Sequence, residues 1–330
     1  MASALGARDL FRLVRNGLDV GKVHAGVRKP FRFLLCGDPA LVAELRGLLL
    51  AGHPDDTVPL DAAACLEAIG PEAIATIDPR DARIVLFLGR RGDLAGANLT
   101  PLRALRLPIF AVTIDPQALP SGPSTPPIAG TWAEYVVPAL TREALRGRVF
   151  PHVVASCKNV EIAVGRRLPA TRETVAAKLT RDAANTALKV SLASAIVDHI
   201  PVVGIVLGAF ASAGDMVAIT GIQMMLLLHI EATYGRDPDV QRMWQLLPVI
   251  GGGFGWRAIA RELAGFLPIA GIPIKGAVAY AGTIVVGEGV TFFLEHGRHM
   301  NKAQAAQIYA RTKSDALTFA RDLIAKFKPR

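Results

Sequence analysis

The chain has 330 residues, a net charge of +9, 51% hydrophobic and 20% charged residues, with only 6% aromatics. That length allows two domains, each with a core of its own. The basic balance with so few aromatics argues against a nucleic-acid reader, which gathers basic residues around exposed stacking platforms. Three cysteines, Cys36, Cys65 and Cys157, are far apart and odd in number, so neither a disulfide framework nor a metal spacing emerges.

Residues 5–23 read as an amphipathic helix, with Leu10, Phe11, Val14 and Leu18 on one face. Charges interrupt the N-terminal segment, so it lacks the apolar core of a signal peptide. Phe31–Cys36 is a predicted strand, followed by Gly37-Asp38-Pro39 and a helix over Ala40–Leu50. A strand around Val58 and a short helix over Ala62–Ile69 come next. Arg83–Leu88 and Pro108–Ile114 are apolar strands separated by a helix over Leu99–Arg106. Residues 116–130 are rich in Pro, Ser and Gly and form a loop, and Ala133–Val137 supplies a last strand. Apolar strands alternating with helices imply an α/β domain with a mainly parallel sheet covered on both faces.

After Pro138 the pattern becomes helical: Leu140–Val149, Val153–Val164, then a long helix from Arg172 to about Val197. The organisation expected is therefore an N-terminal helix and linker (1–30), an α/β domain (31–138) and an all-α domain (139–330). From Ile196 to Ile230 the interior charges are few, and Leu263–Leu294 holds only Lys275 and Glu288. Pro201 opens an apolar helix that Ser212-Ala213-Gly214 should end, and a second runs from Asp215 to Tyr234, closed by Gly235. Each apolar piece is shorter than the roughly 20 residues a bilayer crossing needs, and the pairs meet at Asp215 and at Lys275. Two apolar helical hairpins follow as the expectation. A helix from Asp237 to Leu247, the break at Gly251–Gly253, a helix over Trp256–Leu267 and one over Ile274–Leu294 complete the region. Gly204 with Gly208 and Ala277 with Ala281 give the small-xxx-small spacing of close helix contact. The tail, Lys302–Phe327, is amphipathic. Basic residues flank the apolar segments, as on the cytoplasmic side of a membrane.

A strand ending at Gly37 and leading into a helix is where a phosphate-binding P-loop would stand. The pattern G-x-x-x-x-G-K-[ST], counted from Gly37, meets Val42, Ala43 and Glu44. The lysine for the outer phosphates and the hydroxyl for Mg²⁺ are absent, and Pro39 removes an amide donor. Where Asn-Lys-x-Asp would read guanine, the chain has Thr113-Ile114-Asp115-Pro116. Catalytic residues, a cofactor site and a metal site are accordingly not expected. Asp78 and Asp81 suit a turn better than an acid–base pair. His296 and His299 could ligate a metal, but a basic helix end is the better reading. Gly251–Gly255 follows no strand, which argues against a dinucleotide loop. Met224 and Met225 belong to a core. Asp215 and Gln223 are polar groups inside an apolar helical pair and are candidates for interaction or a polar path.

The ordered landmarks Leu168-Pro169, Arg172, Pro201, Asp215, Gln223, Tyr234-Gly235 and Pro268, followed by a Gly/Ala-rich helix, resemble the YcjF-like bacterial membrane domain of unknown function. That domain often follows, or is encoded beside, a GTPase of the Era/TrmE type. The resemblance covers the C-terminal half. It implies a helical module associated with the inner membrane on its cytoplasmic face, behind a degenerate, P-loop GTPase-like domain. It marks Tyr234 and Gly235 as further interaction residues and membrane lipid and a GTPase as partners. A non-enzymatic scaffold is the reading preferred, with a cryptic nucleotide-binding switch and a small pore or transporter component as alternatives.

Overall fold

The computed structural model describes residues 18–70, 74–93, 99–197, 204–239 and 272–327. Two compact units divide the chain: His24–Lys178 with Ala232–Arg236, and Leu179–Glu231 with Asp237–Arg330 and Met1–Val23.

In the first unit, helix α1 (Val20–Arg28, entering from the other unit) precedes β1 (Arg32–Gly37) and α2 (Pro39–Leu50). Short helix α3 (Leu60–Ala63), β2 (Leu66–Ala68), β3 (Ala82–Arg90), α4 (Thr100–Ala104), β4 (Ile109–Ile114) and β5 (Trp132–Val137) follow. All strand pairs are parallel, in the order β2-β1-β3-β4-β5. Period-two alternation sends Leu34, Cys36, Val85 and Ile109 to one face, against Leu99 and Leu102. Phe33, Leu86 and Leu88 line the other face with Leu45 and Leu49 of α2. The α/β expectation holds.

Two local expectations do not. Ala62–Ile69 is not a helix: α3 ends at Ala63, and Leu66–Ala68 pairs with Phe33–Leu35 as the edge strand. So short an apolar run carries no usable period, and pairing with β1 decides it. Around Val58 there is no strand; Pro59 lacks an amide and Val58 is exposed.

Helices α5 (Arg142–Arg148), α6 (Phe150–Ser156) and α7 (Glu161–Arg167) continue this unit into the start of α8 (Arg172–Val197). Thr141 caps α5 by accepting from the Ala144 amide at 3.2 Å. The expected helix Val153–Val164 is interrupted after Ser156, with Asn159 in the left-handed region. Arginines fasten this extension. Arg167 donates to Asp61 at 2.7 Å and to the Lys29 carbonyl at 2.9 Å, and covers the Phe31 ring. Arg172 donates to the carbonyls of Gly52 and Gly165 at 3.1 and 3.3 Å. Carbonyls at helix C-termini are the negative ends that suit such cations.

The helical unit holds the rest of α8, then α9 (Gly204–Thr233), α10 (Ile272–His296) and α11 (Lys302–Phe327). α9 runs unbroken through Ser212-Ala213-Gly214 and Asp215, so the first expected hairpin is one 30-residue helix. A mid-helix glycine costs only about 1 kcal/mol against alanine, which flanking turns absorb. α10 likewise passes Lys275 without a break. The helix expected over Trp256–Leu267, the glycine-rich 251–255 segment, Pro201, Pro268 and the N-terminal helix to residue 17 lie outside the described residues.

Among the described residues of this unit, α10 meets each of the other three helices. A Cβ on Gly276 would lie 2.8 Å from Leu188 and 2.9 Å from Leu192; one on Gly287 would lie 2.2 Å from Thr180. Contacts that fall in α8 while rising in α10 make the two helices antiparallel, and both glycines permit close approach. Ala277 and Ala281 are fully buried. Ala187 of α8, Ile219 of α9 and Ala279 of α10 form one cluster. Among the described residues, α10 and α11 form the most extensive pairing of any two elements.

Candidate functional site

In an open parallel sheet, ligands collect outside the carboxyl ends of the strands where the order reverses. Here β1 has β2 on one side and β3 on the other, so the position lies above Gly37 and Arg90. Gly37 has φ +109°, and a Cβ there would come within 2.0 Å of the Leu88 carbonyl oxygen. Glycine at Gly37 therefore answers to strand packing, whether or not anything binds above it.

The next residue fills the place an anion would take. Asp38 is the N-cap of α2: its Oδ1 accepts from the amides of Ala40 at 2.8 Å and Leu41 at 3.3 Å. These are the donors that a helix N-terminus would offer to phosphate. Oδ2 lies 3.6 Å from Nε of Arg90, at the end of β3. The two amides, then Arg90, hold the Asp38 carboxyl below the usual carboxylate range. It is ionised at neutral pH and repels a second anion. Of the expected triad positions, Val42 is buried, while Ala43 and Glu44 are exposed on α2.

The rim around it is internally paired. Asp93 accepts from the Arg90 amide at 2.6 Å. Arg91 lies 3.4 Å from the Asp115 carboxylate, which itself accepts from the Gln117 amide at 3.0 Å. Asp115 thus closes a turn where guanine recognition would need an open carboxylate. Arg90, Asp93 and Arg91 were not marked by motif reading, since only the sheet order places them beside Gly37. Beside this rim, α2 and β2 border an open groove of about 640 Å³.

The candidates of the helical unit are differently placed. Gln223 is buried in α9, and its Nε2 donates to Oγ1 of Thr283 on α10 at 3.3 Å. The Thr283 hydroxyl in turn donates to the Ala279 carbonyl at 2.8 Å. Oε1 of Gln223 and Oγ1 of Thr220, one turn away, are buried without a partner among the described residues. Asp215 lies within α9; its side chain lies outside the described ones. Met224 is buried and Met225 half-buried. Tyr234 lies in the first unit, its ring 5.9 Å from the Arg172 guanidinium carbon, and Gly235 takes φ +87°. Gln223 and Tyr234 therefore serve different partners.

The remaining residues are structural. Asp78 accepts from the Arg80 amide and side chain at 2.9 and 2.6 Å, and Asp81 takes φ +62° in the same turn. His296 stacks on Phe292 at 4.3 Å and His299 on Phe293 at 5.1 Å. No three His, Cys, Asp or Glu converge among the described residues as a metal would require. The three cysteines are buried and free, and burial pushes Cys36 up to about 12 and Cys65 up to about 11, far from a reactive thiolate.

No family model, no curated protein and no solved structure matches this chain.

Proposed function

We propose that the chain is a non-enzymatic, membrane-associated interaction or scaffold protein. Its α/β unit binds a partner, for which the resemblance suggests a GTPase, and its helical unit engages the cytoplasmic face of a bacterial inner membrane. The observation that carries the non-enzymatic part is Asp38, whose carboxylate takes the donors that a phosphate would need. The membrane part is supported by Gly276–His296 of α10, which is long and apolar enough to cross a bilayer. The measurement is fractionation of lysed cells. The protein is expected in the membrane pellet and, after alkaline carbonate washing, still there. Complete release without detergent overturns the membrane reading. Titration with a fluorescent GTP analogue tests the other half: saturable binding that a change at Asp38 or Gly37 abolishes would establish the nucleotide switch instead.

A pore or transporter component is the second reading, favoured by Oε1 of Gln223, which lies inside an apolar helix pair with no partner among the described residues. Proteoliposome flux that vanishes in Asp215→Ala would establish it.

A further inference from the structure

We propose that Arg142 and Arg172, gathered at the C-terminal end of α2, form a binding site for a phosphate oxyanion, carried by a phospholipid headgroup or by free phosphate. The inference goes beyond the function proposed above and stands whether or not α10 enters a bilayer.

The two arginines open different helices, α5 and α8, and meet on one turn. Nη2 of Arg142 donates to the Ala51 carbonyl at 3.2 Å, and Nη1 of Arg172 donates to the next carbonyl, Gly52, at 3.1 Å. Nε of Arg172 donates to Gly165 at 3.3 Å. These bonds leave Nη2 of Arg172, and Nε and Nη1 of Arg142, as open donors. No side chain screens the tips from the turns beside them. A Cβ on Gly52 would stand 3.6 Å from Nη2 of Arg142, and one on Gly235 would stand 3.7 Å from Nη2 of Arg172. Both glycines take positive φ, +102° and +87°, where other residues are strained.

The charges at this turn do not balance. Among the described residues neither arginine pairs with a carboxylate: Glu173, next to Arg172 in sequence, pairs with Arg146, and Asp61 pairs with Arg167. The carbonyl ends of α2 and α7 offer at most about half a negative charge each, about −1 against two full positive charges. Each arginine also stands at the N-terminal end of its own helix, where the dipole disfavours a cation. Arg172 is half-buried, so water compensates it incompletely. Burial presses its pKa below the ordinary arginine value; Tyr234 opposes the shift, and Arg142 and then Arg166 deepen it. One bound oxyanion restores the balance. Two guanidinium forks that approach from separate helices suit a tetrahedral phosphate, whose oxygens point in several directions, better than a planar carboxylate, which one fork satisfies. The site is separate from the one at Asp38, which lies at the other end of α2, about 18 Å away along its twelve residues.

The test is thermal unfolding of the full chain in non-ionic detergent, with phosphate, acetate and chloride compared at equal pH and ionic strength. A ligand of the native state raises the transition with its concentration. Phosphate is expected to raise it above both other anions. Arg142→Gln removes an exposed charge and leaves the bonds of Arg172 in place, and is expected to weaken phosphate binding at least about tenfold, the effect of losing one charge-assisted pair. The general stabilisation that phosphate gives any protein is common to both chains, so their difference is the readout. No rise over chloride in the unmodified chain, or an equal rise in Arg142→Gln, overturns the site. Equal rises with acetate and phosphate overturn the choice of phosphate and assign the arginines to a carboxylate. Glycerophosphoglycerol, the deacylated headgroup of phosphatidylglycerol, separates the two sources. A rise matching that of phosphate supports a lipid headgroup as the ligand, and no rise beside a rise with phosphate supports free phosphate. Carbonate washing of membranes reads the bilayer proposal alone, so either idea can fail without the other.

Discussion

Replacing Gln223 with methionine separates a structural polar contact from a polar path. The side chain is 6% exposed, so its amide has exchanged water for protein. One group, Nε2, regains a hydrogen bond to Thr283 at 3.3 Å, and the other, Oε1, has no partner among the described residues. A buried unsatisfied acceptor costs about 1–3 kcal/mol, whereas a long neutral hydrogen bond returns about 0.5–1 kcal/mol. Methionine matches the length, carries no strong polar group and bends to fill the space. Thr283 stays satisfied after the change, because its hydroxyl already donates to Ala279. The net expectation is stabilisation by about 1 kcal/mol. In urea unfolding followed by circular dichroism, the midpoint should rise with an unchanged slope. Destabilisation by about 1 kcal/mol or more would refute the reasoning. It would mean that Oε1 has a partner, such as an ordered water, and would favour the polar-path reading. Adding Thr283→Val measures the pair directly: a coupling well under about 1 kcal/mol is expected from so long a contact.

Gly37→Ala forces a side chain into φ +109° and against the Leu88 carbonyl at the β1–β3 junction. A loss of about 3 kcal/mol or more is expected from strain and broken pairing, read by denaturant unfolding, with no effect specific to added phosphate. Arg172→Ala removes two charged hydrogen bonds to the Gly52 and Gly165 carbonyls and the stacking on Tyr234. It should cost about 2–3 kcal/mol by the same assay, and a neutral result would show that the extension does not need this fastening. Burial lowers the His53 and His152 pKa values below the ordinary 6.5. The unfolded chain then binds more protons than the native one, so their contribution is full above about 6.5 and is lost as pH falls through the depressed values. Thermal unfolding between pH 7 and 5 should show this decline, and His53→Gln with His152→Gln should flatten it.

The sheet was legible because each inner strand is an unbroken apolar run, as in Arg83–Leu88 and Pro108–Ile114, with turn residues between. The long helices beginning at Arg172 and Lys302 were legible, and the described residues stay helical to Val197 and Phe327. Edge strand β2 was not, because three residues carry no period and its identity lies in β1. The division of α9 at Ser212–Gly214 was misjudged for a related reason. Local breakers weigh about 1 kcal/mol, and the propagation of a 30-residue helix outweighs them. At the candidate site the missing lysine could be read directly, but the role of Asp38 could not. Capping and catalysis both use Asp at that position, and only the amides of Ala40 and Leu41 distinguish them.

Hydropathy alone leaves α10 undecided between two solvents, because a core helix and a spanning helix have the same composition. What decides is the neighbour. Gly276 and Gly287 serve close packing on α8 in water, Ala277 and Ala281 are buried, and such small residues would serve helix contact in lipid equally well. The exposed charges on its neighbours, Arg181, Asp182 and Lys189 of α8 and Arg311 and Asp315 of α11, suit water alone.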